Sequence, residues 1–94
     1  MTESEFLKGP DFMKLGRAIQ SENWQLAAMT LRRLRQNAAD AGITVFDRQF
    51  MGLGQCVNAR QKTEAQNCLA LVTAKRVSLL NQSGRQEHAT QQQH

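Results

Sequence analysis

Apolar residues recur along this chain at intervals of three and four, the spacing of amphipathic helices rather than of strands. Thr2 to Lys8 is read as a short helix that Gly9 and Pro10 interrupt, and Pro10 is well placed to open the helix that follows. Phe12, Leu15 and Ile19 then form one stripe to about Gln20, and Ser21 is expected to stop this helix and cap the next. The second stripe is the best defined: Trp24, Ala27, Leu31, Leu34, Ala38 and Ala41, predicting a helix over Glu22 to Ala41 with Gly42 as its stop. Ile43 can pack after the glycine. Thr44 is expected to cap a third helix carrying Phe46, Phe50, Leu53 and Val57, within which Gly52 and Gly54 suggest close helix packing or a kink. Asn58 to Lys62 reads as a turn, and Thr63 as the cap of a fourth helix to about Asn81, with Ala65, Cys68, Leu69, Val72 and Leu79 on or near one face.

Short connections make consecutive helices neighbours, so the fold class expected is all-α, an antiparallel four-helix bundle with a short extra N-terminal helix. Its organisation would be an N-terminal segment over 1–10, the bundle over 11–82 and a disordered tail over 83–94, where RQEHATQQQH has nothing to bury. The predicted core is Phe12, Leu15, Ile19, Leu31, Leu34, Ala38, Phe46, Phe50, Leu53, Leu69 and Val72. A helical-hairpin repeat is the weaker alternative, since the fixed periodicity of such arrays is missing.

Composition agrees with helix: of 94 residues none is Tyr, one is Trp and one is Pro, while Ala, Leu, Gln and Arg are plentiful. Twelve Lys and Arg against eight Asp and Glu leave a net charge of +4, which permits an acidic partner without demanding one. Nucleic acid is the less favoured partner, because the five aromatic residues sit at core-like spacing instead of standing free to stack on bases. MTESEFLKGP lacks the basic start and apolar run of a signal peptide, and no apolar run approaches the roughly 20 residues of a membrane span. The cytoplasm is therefore the expected location, and no membrane association is expected.

The residues that would carry chemistry are sparse. His88 and His94, the only histidines, fall in the predicted tail, and Cys56 and Cys68 lack the CxxC spacing of a zinc or redox site and read as buried reduced thiols. Asp40 and Asp47 read as solvated helix-end charges, and Gly52 to Gly54 follows no strand and so cradles no phosphate. No catalytic residue, metal site or cofactor is expected, and the protein is read as a non-enzyme.

The run from Arg32 to Phe46 nevertheless resembles the central motif of histidine-containing phosphotransfer (HPt) domains: His, one variable residue, Leu, Lys, Gly, Ser, Ala, three variable residues, Gly and, four further on, an apolar residue. Leu34, Ala38, Gly42 and Phe46 match, Arg35 keeps the positive charge, and Ser21 to Trp24 is similar to the turn and aromatic residue that open that helix. The resemblance would span residues 11 to 82. It implies a helical bundle of bacterial two-component signalling whose partner is a receiver domain. The sequence departs from it where the chemistry belongs. Arg32 stands at the phosphoacceptor position and Gln36 replaces the glycine that keeps the histidine accessible. A guanidinium stays protonated and cannot accept a phosphoryl group, so the resemblance implies a pseudo-phosphotransfer domain that binds without transferring. The partner-binding residues it points to lie on the outer face of the second helix: Arg32, Arg35, Met29, Gln36, Ala28 and Ala39. The alternative is a basic helical protein that associates with nucleic acid or another acidic partner.

Overall fold

The computed structural model describes residues 1–82 with their side chains and the backbone of 83–92. The expected disordered tail, 83–94, lies outside the fully described residues. Five helices follow in order: α1 (Glu3–Lys8), α2 (Asp11–Gln20), α3 (Trp24–Asp40), α4 (Asp47–Asn58) and α5 (Lys62–Gln92). There is no strand among the described residues. α2 packs on α3, α3 on α4, α4 on α5, and α5 returns to α2, so these four close a ring with their apolar stripes inward. The neighbours run antiparallel. Asp11 at the start of α2 meets Arg33 in the second half of α3, and Leu31 in the first half of α3 faces Gly54 in the second half of α4.

One turn geometry is used three times. Where α2, α3 and α4 end, the amide two residues beyond the cap donates to the carbonyl five residues back: Asn23 to Ala18 at 2.8 Å, Ile43 to Ala38 at 2.8 Å, and Gln61 to Cys56 at 2.9 Å. A second bond nests inside each, from Glu22 to Ile19, Gly42 to Ala39 and Arg60 to Val57. These paired bonds define the Schellman motif, which needs a left-handed residue at its apex. The apices are Glu22, Gly42 and Arg60, with φ of 57°, 71° and 55°. Only one of them is glycine.

These turns correct the predicted boundaries. Glu22 belongs to the turn and α3 begins two residues later, with Asn23, not Ser21, as its cap: the Asn23 Oδ1 accepts from the Leu26 amide at 3.2 Å. Ser21 instead ends α2, its amide donating to Arg17. Thr44 does not cap α4, which starts at Asp47 after Phe46 has been drawn into the core. Thr63 is already inside α5, whose first turn is closed by the Ala65 amide on the Gln61 carbonyl. Glu22→Gly and Arg60→Gly should each raise stability by about 0.5 to 1 kcal/mol, because a side chain is strained at positive φ and glycine is not. An unchanged urea midpoint for both would show that the turns carry no such strain.

The core contains every predicted member except Leu69, which is only half-buried on the α2 side of α5. Its densest part is aromatic. Phe6 meets Phe12 edge-on at 5.3 Å, Phe46 stacks on Phe50 at 5.4 Å, and Phe46 touches Phe6 and Phe12 at 6.0 Å each. Phe6 and Leu7 come from α1, so the segment set aside as N-terminal contributes to the bundle's interior. α1 is capped by Thr2, whose hydroxyl accepts from the Glu5 amide at 3.2 Å, and packs on α3 and α5. Arg76 of α5 holds it there: the guanidinium Nε donates to the Leu7 carbonyl while the cation lies 5.0 Å from the centre of the Phe12 ring. Gly52 and Gly54 neither break α4 nor are forced by space, since a methyl group at either position would meet only Cys68 Sγ or Leu31 Cδ2, each at 3.7 Å.

Candidate docking face

α3 is the helix on which the predicted site was placed, and its heptad-like stripe decides what it can show. Ala27, Leu31, Leu34 and Ala38 take the inward face, so the positions between them turn outward. Arg32, Arg35, Gln36 and Ala39 are exposed, Met29 is 53 % exposed and Ala28 is half-buried. Trp24 is half-buried against the core and is no free aromatic anchor.

The structure divides the predicted patch between two grooves. On the α4 side, Ala28, Leu31, Arg32 and Arg35 face Gly54, Val57 and Asn58 across a depression of about 330 Å³. On the α2 side, Met29 and Arg33 join Leu26 and Thr30 opposite Lys14, Arg17 and Ala18, around about 460 Å³. Gln36 and Ala39 line neither. Gly54 lines the α3–α4 depression, and a Cβ there would rest in ordinary contact with Leu31.

Both linings are cationic and neither includes a carboxylate among the described residues. On the α2 side, Asp11 forms an ion pair with Arg33 at 3.6 Å. Arg33 is 57 % exposed, which makes that pair a weak one. Arg32 and Arg35 have no acidic partner among the described residues. Two neighbouring guanidiniums of this kind can take a carboxylate or phosphate through paired, charge-assisted hydrogen bonds.

Other chemistry is not assembled here. Cys56 and Cys68 are free, half-buried rather than buried, and adjacent across α4 and α5. Desolvation, with Cys68 and Glu64 adding to it, pushes the Cys56 thiol up, away from the thiolate form that attacks electrophiles. No group of three or more His, Cys, Asp and Glu gathers among the described residues, and both histidines lie outside the described side chains. No described helix is long and apolar enough to cross a membrane.

Lys14, Arg17 and Leu26 were missed in the sequence. Lys14 and Arg17 stand three apart on one flank of α2, which is a readable signal, but their meeting with Leu26 and Met29 depends on which flank of α3 the helix packs against. Comparison of the chain with protein-family models, curated proteins and solved structures returns no match.

Proposed function

We propose that this chain is a noncatalytic, HPt-like helical binding module that engages an acidic protein surface of the receiver-domain kind through α3, without phosphotransfer. The observation that carries the reading is the α3–α4 groove, where Arg32 and Arg35 project beside an uncharged lining of Ala28, Leu31, Gly54, Val57 and Asn58. The resemblance in the α3 sequence supplies the partner class: a receiver's phosphorylation pocket is a cluster of carboxylates, and Arg32 stands where the family presents its histidine. A guanidinium can satisfy such a pocket with a bidentate contact, yet it has no lone pair to accept the phosphoryl group. Binding without chemistry is the consequence.

Titrating a receiver domain with wild type, Arg32→Ala and Lys8→Ala, an exposed cation on α1, tests the reading. Loss of Arg32 should weaken the complex about tenfold or more, whereas Lys8→Ala should change affinity little. Equal affinity for the three proteins would remove Arg32 from the contact. Binding to any DNA or RNA with a steep salt dependence, and none to the receiver, would replace this reading with nucleic-acid association.

A further inference from the structure

The α2–α3 groove combines two properties that the α3–α4 groove does not. Its lining is largely apolar: above the buried Ala18 and Thr30 stand Leu26 and Met29, which are 44 % and 53 % exposed although both are large hydrophobic side chains. Its rim is positive on both banks, with Lys14 and Arg17 on α2 and Arg33 on α3. Lys14 and Arg17 have no acidic partner among the described residues, and Asp11 is drawn to Arg33. A purely solvated surface gives no reason to leave Leu26 and Met29 in water between three cations. An occupant that covers apolar area and brings negative charge answers both features at once.

We infer that this groove is a docking site for an acidic amphipathic helix of a partner protein. The stretch of α3 from Leu26 to Arg33 is on the order of 10 Å long, which is about two helical turns. A short guest helix presents apolar residues at one-turn spacing to such a lining and carries acids on both flanks of that stripe. Leu26 and Met29 then receive its apolar face, Met29 adapting its unbranched side chain to the guest. Lys14 and Arg17 meet the acids on one flank, and Arg33 meets those on the other, exchanging the long contact with Asp11 for a fresh carboxylate. Of the residues the sequence pointed to for receiver binding the site uses Met29 alone, and it uses neither Arg32 nor Arg35, so it stands or falls separately from that function.

The test titrates the isotope-labelled protein with a fluorescent amphipathic peptide, leucine on one face and glutamate on both flanks, followed by backbone amide shifts and by anisotropy. Saturable binding is expected, with shifts gathered on α2 and on Leu26 to Arg33. Lys14→Glu combined with Arg17→Glu should weaken it about tenfold or more, Met29→Gln should weaken it measurably, and Arg32→Ala combined with Arg35→Ala should leave it unchanged. Thermal melts check that each variant is folded, and Lys14→Gln with Arg17→Gln replaces the charge reversal if that variant is not. The inference is overturned by absence of saturation, or by equal binding of a sister peptide with glutamine for glutamate. It is also overturned if only the Arg32/Arg35 variant loses affinity, or if phosphatidylserine vesicles bind at Lys14 and Arg17 while the peptide does not.

Discussion

Phe46→Ala should lower the free energy of unfolding by about 3 to 5 kcal/mol, the range for emptying a large aromatic site. Phe46 has no exposed surface, and its ring is the one that touches Phe6, Phe12 and Phe50 together. It also sits immediately before α4, where its burial rather than a side-chain cap sets the start of the helix. Truncation therefore leaves a cavity bordered by α1, α2 and α4, which cannot all relax inward at once. A small domain has only about 5 to 15 kcal/mol in total, so the variant should be marginally folded. The urea midpoint, read through the fluorescence of Trp24, measures this directly. Phe46→Leu, which retains most of the volume, should cost less; a loss under about 1 kcal/mol for the alanine variant would mean the aromatic cluster contributes little.

Leu7→Ala should cost about 2 to 5 kcal/mol, as much as a leucine in the middle of the bundle. A six-residue helix at a chain terminus would ordinarily be marginal, because isolated helices of this length do not hold together in water. α1 persists because Leu7 and Phe6 are 2 % and 3 % exposed, and because Arg76 fastens its last turn from the other end of the chain. Urea unfolding at unchanged slope would report the loss as stability alone. A change below about 0.5 kcal/mol would show that α1 docks without stabilising the bundle, as expected of an exposed surface position.

The stripes of Phe12 to Ile19, Trp24 to Ala38 and Phe50 to Val57 were legible in the sequence because a helix buries its apolar residues at the period the sequence displays. Gly42 was legible for a related reason: a glycine after such a stripe offers the left-handed conformation without strain. The matching turns at Glu22 and Arg60 were hidden, since their apices carry long charged side chains that ordinarily belong inside helices. Thr44 and Thr63 misled in the opposite way, as good capping residues at places where burial of Phe46 and the Cys56–Gln61 turn had already fixed the helix ends. α1 was foreseen as a helix but not as part of the interior, because Phe6 and Leu7 are too few to show a period. Lys75 and Arg76 donate to the carbonyls of Val45 and Leu7, contacts between distant parts of the chain that no spacing in the sequence signals. Of the candidate site, the exposure of Arg32, Arg35 and Met29 was readable from the α3 wheel. The separation of Arg32 from Met29 into different grooves was not, because it depends on the neighbours α2 and α4 and not on α3 itself.

The three Schellman turns are not distributed evenly. Those at Glu22 and Arg60 lie together at one end of the ring, while the glycine turn lies at the other, beside α1 and the four phenylalanines. The glycine end is knit from large rings and fastened by Arg76; the opposite end is closed by Ile19, Ala27, Val57, Ala65 and the half-buried Trp24 beneath two strained apices. The two ends are therefore built differently, one from aromatic rings and the other from mainly aliphatic side chains under charged turn residues. The α2–α3 groove runs between them, its mouth formed by Ser21 and Asn23 beside the Glu22 turn and its far bank by Arg33 toward the aromatic end. A guest entering that groove would meet the left-handed turn at Glu22 at one end and the aromatic cluster's end at the other.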